Sequence, residues 1–144
     1  MKADYVIVGA GSAGCVLANR LTEDPNTTVI LVEAGGTDRS LTIRMPAALG
    51  INTARGRYNW CYETVPQPHL NGRSIFTPRG KGLGGSSSIN GLVYVRGHPR
   101  DFDRWEQEGA QGWSYESVLP YFKKIEHWNG DQSPFRGEGG PGPV

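Results

Sequence analysis

The strongest constraint on the fold lies in residues 5–14, where an apolar run leads directly into three spaced glycines. The run, Tyr5 to Val8, has the composition of a short buried strand in a parallel sheet. Gly9, Gly11 and Gly14 then follow the G-x-G-x-x-G spacing. In this pattern the first glycine turns the chain off the strand, the second lets a diphosphate approach the backbone, and the third lets a helix pack against the strand.

The residues that follow extend this pattern into a βαβ unit over residues 3–33. Apolar and small residues recur at i, i+3, i+4 and i+7, which predicts a helix that packs through Gly14, Leu17, Ala18 and Leu21. A second apolar run, 29–32, ends on Glu33, about 20 residues after the last glycine, where a carboxylate binds ribose hydroxyls. The helix N-terminus offers free N–H groups to a diphosphate. The alternative is a βαβ unit whose glycines serve only turns and whose Glu33 is solvated.

Composition and charge exclude several other classes. The 144 residues suffice for one ordinary domain, and a net charge of +1 provides no field that attracts nucleic acid. No apolar run approaches the ~20 residues of a membrane-spanning helix, and none resembles a signal peptide after the Met1 start, which we expect to be a genuine N-terminus. Cys15 and Cys61 form no metal or redox spacing, so we expect a reduced, cytoplasmic chain without a metal site.

A second glycine-dense stretch, residues 80–85, cannot form a regular element. The serines at 86–88 are expected to cap a helix start and to donate to phosphate oxygens. Apolar residues in and after the stretch predict that it is buried rather than a flexible linker: Leu83, Ile89, Leu92, Val93 and Val95. We therefore expect the stretch to lie against the same ligand as the first glycine motif.

Other elements follow from local patterns. Residues 46–49 predict a short helical turn. Residues 60–65 and 73–77 predict two short strands that pair antiparallel outside the main sheet, which we call the antiparallel excursion. Residues 99–108 predict a helix, and Ser114 is placed to cap a second one.

The fold class is α/β, a Rossmann-like dinucleotide-binding domain that is incomplete in this chain. A doubly wound sheet needs more strands than the two of the βαβ unit, so an unpaired edge and apolar strand faces are expected to lower solubility. We assign residues 1–128 to the N-terminal part of this domain. Residues 129–144, which are polar and rich in glycine and proline, are assigned to a connection toward a further domain that binds the substrate.

Together these motifs resemble the glucose–methanol–choline (GMC) family of flavin oxidoreductases over nearly the whole chain. The first motif combines the three glycines with Glu33-Ala34-Gly35-Gly36, and the more specific one is similar to the family's first signature from Gly80 to Asp103. Three further stretches resemble the branch of choline dehydrogenase and its bacterial alcohol-dehydrogenase relatives: residues 45–48, 58–60 and 113–115.

The resemblance implies FAD rather than NAD and places the cofactor by position. It assigns the pyrophosphate to Gly9, Gly11, Ser12 and Gly14, and the adenosine ribose to Glu33 beside Ala34. It assigns the diphosphate, ribityl and flavin end to Gly82, Asn90, Gly91, Leu92 and Val93. Some members attach the flavin covalently through a histidine at this place in the signature; Asn90 cannot do so, which implies non-covalent FAD.

The resemblance also implies oxidation of a small alcohol, choline or another primary alcohol, to a carbonyl by hydride transfer to flavin. The family's basic histidine lies near the C-terminus, beyond the region of resemblance, so no catalytic residue is assigned and the chain is expected to be inactive alone. We expect solvated or capping roles for His69, His98 and His127. The electron acceptor stays open. Two alternatives remain: an NAD-dependent Rossmann dehydrogenase and a non-catalytic nucleotide-binding module.

Overall fold

A computed structural model describes residues 2–54 and 56–144. The chain divides into two compact units, residues 1–93 and residues 94–144. No helix within the described ranges is long and apolar enough to cross a membrane.

The first unit opens with the predicted βαβ arrangement. Strand β1 spans Tyr5–Val8, helix α1 spans Ser12–Leu21, and strand β2 spans Val29–Val32. The two strands pair in parallel, with Tyr5 opposite Val29 and Val8 opposite Val32. The α/β class and the order strand, glycine turn, helix, strand are therefore confirmed.

The glycine turn after β1 takes the shape that its spacing predicts. Gly9 has φ +95°, a conformation that L side chains rarely adopt. A Cβ at Gly14 would collide with the Gly9 carbonyl oxygen and lie 3.3 Å from Cγ2 of Ile7. The last glycine of the motif thus allows α1 to pack against the strand.

The expectation that β1 is a buried strand is wrong for this chain. Val6 and Val8 are 63% and 84% exposed, and Val32 of β2 is 48% exposed. A parallel strand is buried when further strands flank it and helices cover both faces of the sheet. This sheet has two strands, so apolar faces stay exposed, as expected of an incomplete sheet.

The rest of the first unit consists of short elements. Helix α2 spans Leu41–Arg44 and helix α3 spans Leu49–Ala54, with a 3₁₀ turn at Pro46–Ala48 between them. Strands β3 (Tyr62–Glu63) and β4 (Phe76–Thr77) pair antiparallel, so the predicted excursion is confirmed although its strands are shorter than expected. Two more 3₁₀ turns are formed by Pro68–Leu70 and Gly85–Ser88.

The second unit contains helix α4 (Pro99–Gln107) and helix α5 (Tyr115–Ile125), both at their predicted places. The helices pack around Phe102, whose ring contacts those of Trp105 and Phe122 edge-on at centroid distances of 5.3 and 5.6 Å. His98 and Ser114 cap the helices by accepting hydrogen bonds from backbone N–H groups. The capping role expected of His98 is confirmed.

The glycine-rich stretch near residue 140 is folded onto the second unit. Strand β5 (Glu126–His127) pairs in parallel with strand β6 (Gly142–Pro143). His127 Nδ1 accepts a hydrogen bond from the Gly139 N–H at 2.9 Å, which is again a capping role. The division into residues 1–128 and 129–144 stays a prediction.

Candidate dinucleotide-binding site

The N-terminus of α1 is open toward an anion. Gly11 is the residue that precedes the helix, and the first N–H groups of a helix have no partner within it. Within residues 2–54 and 56–144, the N–H groups of Ser12, Ala13 and Gly14 donate to no backbone acceptor outside the helix. A Cβ at Gly11 would find the Gly85 Cα as its nearest neighbour, at 3.9 Å. This helix end therefore has the donors and the space that a diphosphate needs.

Glu33 joins the turns that follow β1 and β2. Its Oε2 accepts a hydrogen bond from the Ala10 N–H at 2.8 Å, and its Oε1 accepts one from the Gly35 N–H at 2.8 Å. The N–H groups of Gly35 and Ala10 lower the pKa of Glu33, so the carboxylate is ionised at neutral pH. Each carboxylate oxygen has a further lone pair with which to accept from a hydroxyl. The predicted ribose acceptor is thus also a brace between two turns, which the sequence pattern did not reveal.

The second glycine stretch runs in an extended path beside both turns. Successive alternate residues form bridges to three different segments: Gly80 to Asn59, Gly82 to Gly36, and Gly84 to Gly11. The Leu83 N–H donates to the Gly36 carbonyl at 3.0 Å, and the Gly84 N–H donates to the Ala10 carbonyl at 2.8 Å. The expected juxtaposition of the two glycine motifs is therefore present.

Close backbone approach explains why glycine occupies the middle of this segment. Gly82 is buried, has φ +146°, and would place a Cβ 2.8 Å from the Gly36 carbonyl oxygen. A side chain here would separate the segment from the turn after β2.

The capping role predicted for the three serines is wrong, and their contacts to phosphate oxygens stay a prediction. The Ser87 and Ser88 hydroxyls donate to the Gly84 and Leu83 carbonyls at 2.6 and 2.8 Å, and Ser86 Oγ accepts from the Gly80 N–H at 3.1 Å. Among residues 2–54 and 56–144, no side chain caps the 3₁₀ turn that they form. A loop with many positive φ angles leaves its own carbonyls unpaired, and the Ser87 and Ser88 hydroxyls bind two of them.

Residues 90–93 form a separate turn beyond the glycine segment. Asn90 Oδ1 accepts from the Leu92 N–H at 3.0 Å, and Leu92 has φ +55°. With Ser87, Ser88 and residues of α2 and α3, Asn90 and Leu92 line a cavity of about 140 Å³.

Burial of the segment is only partly as expected. Ile89 is 4% exposed, but Leu92 and Val93 are 69% and 79% exposed, and Leu83 and Val95 are also exposed. The turn at Leu92 carries the chain away from the packed part of the unit, so apolar composition alone predicted burial wrongly here.

The structure thus gathers seven of the predicted site residues around α1, β2 and the glycine segment: Gly9, Gly11, Ser12, Gly14, Glu33, Ala34 and Gly82. The other four follow the 3₁₀ turn: Asn90, Gly91, Leu92 and Val93. Their individual roles toward a cofactor stay predictions.

Comparison with known proteins gives a consistent result. The chain is 60% identical over 141 residues to the oxygen-dependent choline dehydrogenase of Sinorhizobium fredii (strain NBRC 101917 / NGR234), a match that covers 98% of this chain and 26% of that protein. The chain therefore spans about a quarter of the length of the curated relatives that it matches.

Solved structures agree. Pyridoxine 4-oxidase from Mesorbium loti superposes with a TM-score of 0.89 at 41% identity, over 99% of this chain and 28% of that one. A formate oxidase variant from Aspergillus oryzae, characterised for FAD modification, superposes with a TM-score of 0.82 at 37% identity, over 98% of this chain and 26% of the other. The family model described as GMC oxidoreductase matches residues 3–141, and the chain belongs to the GMC oxidoreductase family.

Proposed function

We propose that this chain is the FAD-binding N-terminal portion of a flavin-dependent oxidoreductase that oxidises a CH–OH donor to a carbonyl. The observation that carries the proposal is the convergence of the α1 N-terminus, Glu33 and the glycine segment 80–84, joined by backbone bridges. When bound, FAD supplies the hydride acceptor, and the chain supplies binding and orientation.

The residues fit a long dinucleotide. The N–H groups of Ser12 and its neighbours offer donors to the diphosphate, and the space beside Gly11 admits it. Glu33 has acceptor capacity left for ribose hydroxyls. An extended cofactor also needs a second stretch of close backbone approach, and the segment around Gly82 supplies one. A simple nicotinamide-binding fold would leave that segment without a ligand.

The substrate class that we propose is a small alcohol, choline or another primary alcohol. The substrate class is supported by 60% sequence identity to an oxygen-dependent choline dehydrogenase, in an alignment that covers 98% of this chain. The choline dehydrogenase-like stretches at residues 45–48 and 58–60 support it as well. Oxygen is the corresponding electron acceptor to test first.

The first test is the visible absorption spectrum of the full-length protein, before and after heat denaturation and filtration. We expect a flavin spectrum that passes the filter, as FAD held without a covalent bond would. Flavin that stays with the protein would contradict the inference from Asn90. A full-length protein without flavin that takes up no added FAD would contradict the proposed function and favour the nicotinamide or non-catalytic alternatives.

A substitution at Gly11 tests the diphosphate assignment. In the full-length protein, Gly11→Val should abolish FAD binding, because the valine side chain fills the space that a diphosphate would occupy. The fold should survive, because a Cβ at Gly11 meets no atom closer than 3.9 Å. Gly50→Val is the matched control, since Gly50 also lies in open space but in α3. Equal flavin content in Gly11→Val and the parent would overturn the assignment.

A further inference from the structure

The buried side-chain amide of Asn59 lies opposite Gly80, where the glycine segment begins. Neither the glycine spacing nor the family resemblance assigns a role to Asn59. Asn59 is 3% exposed. Its Oδ1 accepts hydrogen bonds from the N–H groups of Arg79 and Cys61, both at 2.9 Å. Its Nδ2 donates to the Thr53 carbonyl at 2.7 Å. One side chain therefore ties together three stretches of backbone.

These bonds fix the chain where the glycine segment begins. The backbone adds two more bonds on either side of Asn59: the Trp60 N–H donates to the Arg79 carbonyl at 2.8 Å, and the Lys81 N–H donates to the Tyr58 carbonyl at 2.9 Å. Asn59 and Gly80 thus form an antiparallel bridge whose alignment is specified by a side chain. The later bridges of the segment, at Gly82 and Gly84, join glycine to glycine, so neither bridging residue carries a side chain of its own that could specify the register.

A shift of this register would be costly. A Cβ at position 82 would lie 2.8 Å from the Gly36 carbonyl oxygen, and one at position 85 would lie 2.9 Å from the Gly11 Cα. A slip of one residue would bring Lys81 or Leu83 to the place that only Gly82 fits. The contact between the glycine segment and the turn after β2 therefore depends on correct alignment at residues 79–81.

We propose that Asn59 is a positioning residue that sets the register of the glycine segment 80–84 against the turns bearing Gly11 and Gly36. Asn59 acts through the Arg79 N–H and touches no cofactor atom in this role. The inference rests on the proposed function for its consequence, which is FAD affinity, but the register itself can be measured without FAD.

The test is amide hydrogen exchange in the full-length protein without FAD, in the parent, Asn59→Ala, Asn59→Asp and Asp4→Ala. Asn59→Ala removes Oδ1, the one acceptor of both the Arg79 and the Cys61 N–H groups, and leaves these N–H groups unpaired. Exchange at Lys81, Leu83 and Gly84 should therefore rise by about tenfold or more. Asn59→Asp keeps an oxygen acceptor for both N–H groups, but it replaces the donor to Thr53 by a carboxylate oxygen that faces the Thr53 carbonyl. Exchange at these three amides should therefore rise less than in Asn59→Ala.

Asp4→Ala is the matched control for general destabilisation. It removes the bonds from Thr28 to the Asp4 carboxylate, in the same unit but at the other end of the two-stranded sheet. It should leave exchange at Lys81, Leu83 and Gly84 unchanged.

Three results would overturn the proposal. The first is parent-like exchange in Asn59→Ala, and the second is an equal increase of exchange in Asn59→Ala and Asp4→Ala. The third is exchange in Asn59→Asp that rises as much as the increase expected for Asn59→Ala. The aspartate variant decides the matter if Asn59→Ala does not fold. Titration with FAD then completes the test. Asn59→Ala should weaken FAD binding by about tenfold and Asp4→Ala should not. If the parent protein binds no FAD, the proposed function is contradicted, but the exchange measurements still decide whether Asn59 sets the register.

Discussion

Two carboxylates, Glu33 in the first unit and Glu126 in the second, show how the same side chain is placed at a proposed binding site and in a structural ion pair. Glu126 is completely buried and accepts hydrogen bonds from Arg96 at 2.6 Å, Arg136 at 2.7 Å and the Gly137 N–H at 2.8 Å. Glu33 is half-buried and accepts two backbone N–H bonds, and no ion pair involves it within the described residues. The charge of Glu126 is balanced by two arginines of the protein, whereas Glu33 keeps its charge and spare lone pairs near the surface.

Both carboxylates have a pKa below the ordinary value of a glutamate, but for different reasons. Burial by itself raises the pKa of Glu126, and the Gly137 N–H and the two guanidinium groups outweigh that effect. For Glu33 the N–H groups of Gly35 and Ala10 lower the pKa directly. The two guanidinium groups at Glu126 also make cation–π contacts. Cζ of Arg96 lies 5.4 Å from the centroid of the Phe122 ring, and Cζ of Arg136 lies 4.1 Å from that of the Trp128 ring. This comparison teaches that a perturbed pKa alone does not distinguish a binding carboxylate from a structural one.

The largest effect is expected from Glu126→Ala. Removing the carboxylate leaves two guanidinium groups and the Gly137 N–H without their acceptor, which should lower the free energy of unfolding by about 3 kcal/mol or more. Denaturant unfolding of the full-length protein measures it. Glu138→Ala, at an exposed carboxylate nearby in sequence, is the control and should change the value little. A loss below about 0.5 kcal/mol would show that Glu126 is not the structural member of the comparison.

The pH dependence of this stabilisation is the next prediction. Because the pKa of Glu126 is lowered in the folded state, its stabilisation is present above the ordinary glutamate value near 4.5 and is lost as the pH falls through the lowered value. The difference in unfolding free energy between the parent and Glu126→Gln should therefore be greatest near neutral pH and shrink in acid. A difference that stays constant from neutral pH down to the acid transition would contradict the ion-pair account.

The smallest effect is expected at Glu33, and FAD binding is the quantity to measure there. Glu33→Gln keeps one carbonyl oxygen but turns an amide toward the other backbone N–H, so FAD affinity should fall by about tenfold, and further in Glu33→Ala. FAD titration of the full-length protein measures this change. Glu23→Gln is the matched control, because Glu23 is an exposed carboxylate of the same unit whose partner is Arg20. Unchanged affinity in Glu33→Gln would remove Glu33 from the site.

Local pattern was sufficient to predict the βαβ unit, the turn at Gly9 and the close packing at Gly14. It was also sufficient for α4, α5 and the antiparallel excursion, because strand, turn and cap signals lie within a few residues of one another. Burial was predicted less well. Val8 and Val93 are apolar and exposed, since burial depends on what covers a side chain rather than on its own composition.

The sequence by itself determined the family, the dinucleotide motif and the acid at the end of β2, because each depends on short spacings between residue types. The tertiary structure alone decided that Asn59 accepts a hydrogen bond from Arg79 beside the glycine segment. It also decided that Ser87 and Ser88 close their own loop and that Glu126 is buried between two arginines. These contacts join backbone and side chains through turns whose path depends on positive φ angles and packing. The pattern of residue types along the sequence does not specify which hydrogen-bond donor binds which acceptor after such turns.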